Sequence, residues 1–129
     1  MVIGNYDIEQ IYRAMYGIAK KCVSKVFTSD RPSSTDTALA SFIVVSLPTR
    51  ITNELALGFT TAKFQIFVKD TTAGLENISG ISSIQKALYG QLPVTIDNKW
   101  NFTDPMFLQI GSDGKGFHVY SITTSLTIL

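Results

Sequence analysis

Phe42-Ile43-Val44-Val45-Ser46-Leu47, stopped by Pro48, is rich in β-branched residues and apolar on both faces. Such a run fits a strand inside a sheet, covered above and below. Further on, Lys63-Phe64-Gln65-Ile66-Phe67-Val68-Lys69 alternates, with Phe64, Ile66 and Val68 on one face and Lys63, Gln65 and Lys69 on the other. That is the period of a half-buried strand. Phe67 interrupts its polar face, so something is expected to cover it. Between the two strands, Arg50 to Thr60 carries Ile51, Leu55, Leu57 and Phe59 at odd positions and reads as an extended arm or a long hairpin.

Upstream of this β region the pattern is helical. Ile8, Ile11, Tyr12, Met15, Ile18, Ala19, Cys22, Val23 and Val26 share one stripe, and Glu9, Arg13, Lys20, Lys21 and Lys25 fill the rest. Asp7, with Gln10 three residues on, suits a capping box, and the lysines near the end suit the negative pole of the helix dipole. The spacing predicts about twenty helical residues, a rod of roughly 30 Å. Thr28 to Thr37 is polar, contains a proline and has no period, so it reads as an exposed loop. Leu75, Ile78, Ile81, Ile84 (or Gln85) and Leu88 fit a second, weaker helix from about Gly74 to Tyr89, closed by Gly90 and Pro93. Gly80 and three serines weaken it, so packing must hold it in place.

The last third reads as β. Pro93 to Ile96 fits a short strand, and Met106, Leu108 and Ile110 share one side of another. Asp113-Gly114 suits a tight hairpin turn. In the final strand Tyr120, Ile122, Leu126 and Ile128 alternate with Ser121, Thr123, Ser125 and Thr127. Phe117 and Val119 are in the opposite phase, which predicts a bulge or a change of environment near Tyr120. The fold class that follows is α+β: a mostly antiparallel sheet with a long N-terminal helix and a second, shorter helix packed against it, in a single domain spanning 1–129.

Composition limits the function. Eleven basic and ten acidic residues leave a net charge of +1, too little to gather nucleic acid or a membrane surface. Met1 to Asn5 has no secretory pattern, and no apolar run approaches the ~20 residues of a membrane span. One cysteine and one histidine cannot complete a structural zinc site. Cys22 falls on the apolar helix stripe, where an inert thiol is expected. His118 sits beside a turn, with no Gly-x-Ser-x-Gly elbow for a nucleophile. Gly111 to Gly116 lacks the Gly-Lys-[Ser/Thr] ending of a phosphate loop and leads into a strand. Lys99 and Phe102 spoil a calcium loop at Asp97–Asp104, although Asp97, Asp104 and Asp113 could meet in space. No catalytic, cofactor or metal residue is predicted.

The surface supplies the stronger clue. Charged residues are 16% of the chain, against about 25% in ordinary domains. Twelve serines and fourteen threonines outnumber them. Aromatic enrichment with charge depletion marks interface cores, so Ile51, Leu55, Leu57, Phe59, Phe67, Trp100 and Phe102 are the predicted partner surface. The competing reading puts these aromatics in the domain's own core. The final strand also lacks charged gatekeepers and looks like an edge that something covers.

A helix, a polar loop, the Phe42–Pro48 strand, the Phe64–Val68 strand, a second helix and a closing β-hairpin follow a familiar order. In this order and in length the chain resembles the small neck and tail proteins of tailed bacteriophages, above all the tail-terminator (tail-completion) family. The resemblance implies a non-enzymatic virion protein, assembled in the host cytoplasm, with a sheet flanked by helices. It implies a ring, usually of six copies, that caps the tail tube and docks it to other neck or tail proteins. The Thr28–Thr37 loop and the Arg50–Thr60 arm would then reach neighbouring subunits. No cofactor, membrane or sequence-specific nucleic acid is implied. A long helix on a curved sheet also resembles cone-shaped folds of the nuclear-transport-factor-2 type, which implies as the alternative a small ligand-binding or enzymatic domain with a roomy pocket near Asp97, Asp104, Tyr120 or His118.

Overall fold

The computed structural model describes residues 7–28, 41–47, 52–54 and 57–129. The elements run α1 (Ile8–Lys20), β1 (Val26–Thr28), β2 (Ser41–Ser46), β3 (Thr52–Glu54), β4 (Leu57–Lys69), α2 (Ile78–Tyr89), β5 (Val94–Ile96), β6 (Trp100–Ser112) and β7 (Phe117–Ile128). Six strands form one sheet in the order β1-β2-β4-β7-β6-β5, and β3 pairs with the start of β4. The chain is α+β, but the sheet is mixed: β1 runs parallel to β2, while the other pairings are antiparallel. A parallel pair cannot be closed by a tight turn.

The first helix is shorter than its stripe suggests. It covers 13 residues, about 20 Å. Asp7 caps it, accepting from Glu9 N–H at 2.9 Å. Cys22 N–H donates to Ala19 C=O, and Lys20 Nζ donates to Ser24 C=O, so the chain turns out of the helix. Val26, Phe27 and Thr28 then enter the sheet beside Ile43, Val44 and Val45. β-branched residues suit a strand better than a helix end, and the neighbouring strand outweighs the helical spacing.

The second helix begins at Ile78, four residues later than expected, because Thr71 to Leu75 closes its own turn through Thr71 N–H to Leu75 C=O. Asn77 is the cap, accepting from Gly80 N–H at 3.1 Å. Gly80 has a packing reason. A Cβ there would meet the Asn77 side chain at 2.6 Å and Val68 Cγ1 at 3.2 Å.

Both helices cover the same face of the sheet. Ile11, Met15 and Ile18 of α1 and Ile81, Ile84 and Leu88 of α2 join Ile43, Phe64, Ile66, Trp100, Phe102, Tyr120 and Ile122 in one buried cluster. On the opposite face Phe42, Val44, Phe67, Phe117 and Val119 form a second cluster, with Phe27 against it. Phe42 and Phe67 are cross-strand partners, and their rings stack at 4.6 Å. Phe67 therefore interrupts the polar face of β4 because that end of the outer face has its own apolar layer.

This second layer also explains the phase change in the last strand. β7 pairs with β4 residue for residue from Phe117 to Ile128 without a bulge. The environment changes instead, and the irregularities lie in β6, between Thr103 and Met106 and between Gln109 and Gly111. Asp113-Gly114 belongs to a four-residue loop rather than a two-residue turn, with Asp113 Oδ1 accepting from Lys115 and Phe117 N–H. The two-residue positive-φ turn is at Asp97-Asn98, where Lys99 N–H donates to Ile96 C=O.

Thr124 lies on the core face, 1% exposed and opposite Ala62, and its hydroxyl is buried without a hydrogen-bond partner. An unpaired buried hydroxyl is destabilising. Thr124→Val, nearly isosteric, is expected to raise stability by about 1 kcal/mol in urea unfolding. A loss of that size instead would show that the hydroxyl is bonded.

Candidate functional site

The residues singled out from sequence do not form one surface. Trp100 and Phe102 are 1% and 0% exposed and belong to the main core. Phe67, at 6%, belongs to the outer cluster. Phe67 and Phe102 are buried in the sheet's own two layers, and Trp100, equally buried, also borders the groove beside α1. Ile51 and Leu55 lie outside the described residues. Leu57 pairs with Glu54, and Phe59 with Thr52, so part of the Arg50–Thr60 arm is a hairpin. Phe59 retains 36% exposure, on the outer face opposite Thr127. Of the Thr28–Thr37 loop, Thr28 ends β1, and the rest lies outside the described residues.

The exposed apolar row is elsewhere. Met106, Leu108 and Ile110 on β6 are 68%, 57% and 50% exposed. β5 pairs only with Trp100 to Phe102, so among the described residues no strand flanks β6 beyond that point. β6 therefore presents an open edge whose segment from Pro105 to Ser112 contains no charged residue. Met106 faces Thr123 and Leu108 faces Ser121, while Phe107 turns to the core face and stacks on Tyr120 at 5.5 Å. Next to the row runs the hydroxyl belt of Ser121, Thr123 and Ser125, continued on β4 by Gln65, Lys63 and Thr61. Sequence reasoning found the shared side of Met106, Leu108 and Ile110 but not its exposure. Alternation tells which residues face together, not which face is covered.

A second feature lies at the other end of β6. An open groove of about 760 Å³ separates α1 from the β5–β6 hairpin. One wall is a stripe of α1 that includes Arg13, Ala14, Gly17, Ile18 and Lys21. Val94, Ile96, Asp97, Lys99 and Trp100 form the other. Lys99 Nζ lies 5.1 Å from the Trp100 ring centroid, and Arg13 pairs with Glu9 at 2.5 Å in an exposed ion pair. At the groove end of α1, Gln91 Nε2 donates to Ile18 C=O at 2.9 Å and reaches Cys22 Sγ at 3.0 Å.

Partial burial pushes the Cys22 thiol up from its ordinary value of 9.0, against the smaller opposing effects of Gln91 and Lys21. The neutral thiol is the form that the fold favours. Its contribution to stability is complete below that ordinary value and is lost as pH rises through the raised one. Iodoacetamide at pH 8 is expected to alkylate native Cys22 more slowly than the same thiol in urea, with the native rate still climbing above pH 9. A native rate equal to the urea rate would rule this out.

His118 Nδ1 lies 2.5 Å from Asp70 Oδ1, and both are partly buried. Ser112 faces His118 across the β6–β7 ladder, but its hydroxyl accepts from Gly114 N–H within the loop. The pair ties the end of β4 to the start of β7. Asp97, Asp104 and Asp113 do not converge, and no cluster of metal-ligating side chains occurs among the described residues. Among the same residues no helix is long and apolar enough to cross a membrane. Tyr120 is 2% exposed and packed in the core, so no pocket opens at that residue, whereas Asp97 lines the open groove beside α1.

The sequence matches no protein-family model and no curated protein.

Proposed function

We propose that this chain is a structural subunit that works by self-association and has no catalytic role. One observation carries the reading: the aliphatic row Met106, Leu108 and Ile110 stands exposed on the uncharged, open edge of β6. Free-standing domains blunt such edges with charge or cover them. Here β6 has two irregularities, which twist an edge, but the four residues between them stay in register with β7. The charge-poor, hydroxyl-rich outer face supports the same reading.

The element order that resembles phage tail terminators gives the assembly its form: a closed ring, six copies in that family, at the junction of neck and tail. Its other partners are then neck or tail proteins of the virion, and its contacts are heterologous, since these close into rings. The test is mass by light scattering after size exclusion, across a concentration series. A discrete multiple of 14.2 kDa is expected. A monomer at every concentration overturns self-association.

A further inference from the structure

The geometry points to the groove between α1 and the β5–β6 hairpin as a docking site for an acidic peptide segment with apolar anchors, supplied by a partner protein. This site is separate from the Met106–Ile110 edge and stands without it.

Three observations on the groove converge. Its floor is apolar, with Ala14, Ile18 and Trp100 buried and Val94 and Ile96 half-buried. Among the described residues its charges are unequal: Arg13, Lys21 and Lys99 line it with Asp97, and Glu9 pairs with Arg13. Arg13 and Lys21 are about 12 Å apart along the helix, with Lys99 on the facing wall. Cations spread in this way suit several carboxylates along a chain better than one carboxylate on a small molecule. The buried face of Trp100 cannot stack a base, which disfavours single-stranded nucleic acid.

The third observation is Gly17. It is exposed in the middle of α1, where glycine is the poorest residue short of proline. Beyond its chain neighbours and its own helix backbone, no described atom lies within 4 Å of where its Cβ would be. Gly80 of α2 meets its cap and Val68 there, but Gly17 meets nothing inside the chain. Gly17 lines the groove, so the space that its missing side chain leaves opens into it. An occupant seated between Arg13 and Lys21 would come against that bare backbone.

The experiment uses fluorescein-labelled acidic peptides with leucine or phenylalanine anchors, read by anisotropy against the whole protein. Controls are the same peptides with lysine for glutamate, a labelled single-stranded oligonucleotide, and anionic vesicles. The acidic peptides are expected to bind, more weakly as salt rises, and the lysine versions are not. Gly17→Trp fills the groove, and Arg13→Glu with Lys21→Glu reverses its charge. Each is expected to weaken binding by at least about tenfold. Gly17→Ala is expected to fold at least as well as the natural chain. Unfolding curves on each variant separate lost binding from lost structure. Binding by none of the acidic peptides, equal binding by the lysine versions, tighter binding of the oligonucleotide or vesicles, or undiminished binding in folded charge-reversed protein overturns the proposal.

Discussion

Trp100→Ala is expected to cost about 3–5 kcal/mol of folding stability, a large part of the ~5–15 kcal/mol that a domain possesses. Trp100 is 1% exposed at the start of β6, paired with Ile96 on one side and Ile128 on the other. Its ring forms part of the floor beneath α1, so truncation removes the largest buried side chain and leaves a cavity that strands on both sides resist closing. Urea unfolding followed by far-UV circular dichroism measures the loss. Fluorescence cannot serve in the variant, because Trp100 is the chain's only tryptophan. In the natural chain the same fact helps: native emission should be blue-shifted and should move red on unfolding. A variant with normal stability and altered mass would make Trp100 a subunit contact after all.

The opposite pattern is expected for Met106→Lys combined with Leu108→Lys. Both side chains are more than half exposed, so the folded subunit should change by no more than about 0.5 kcal/mol for each substitution. Association should fail. Burying such a side chain fully is worth roughly 1.5–3 kcal/mol, and each lysine adds a charge that the interface would have to desolvate. Together these effects shift a dissociation constant by several powers of ten. Light scattering at a concentration where the natural chain is oligomeric should return 14.2 kDa, with a urea midpoint close to that of the natural chain at dilutions where it is monomeric. An oligomer of undiminished mass would move the interface away from this edge.

The two experiments divide apolar residues that look alike in the sequence. Phe102, Trp100, Met106 and Leu108 occupy even positions of one strand, yet the first two are in the core and the last two in solvent. The irregularity at Asp104-Pro105, where Asp104 takes a φ of 54°, inserts one residue and reverses the facing. A strand's apolar set changes face whenever the count shifts by one. Pro105 marks the site in the sequence, but proline alone does not say whether a strand ends, bends or bulges.

Much of the architecture follows from local chemistry. Asp7 before a helical stripe starts α1, and alternation through Phe64, Ile66 and Val68 makes a strand with one buried face. Gly80 and its serines make α2 a helix that needs packing, and Gly80 is indeed pressed against β4. Such features depend on residues within a few positions of one another, where sequence and geometry are directly linked. The end of α1, the parallel pairing of β1, the second apolar layer and the exposure of Met106, Leu108 and Ile110 have a different origin. Each depends on which distant strand comes alongside or which layer covers a face. By itself the sequence determined most of the elements and, within each uninterrupted stretch, which side chains face together. Only the tertiary structure decided which groups are buried, because burial is set by neighbours that the chain brings together from far apart.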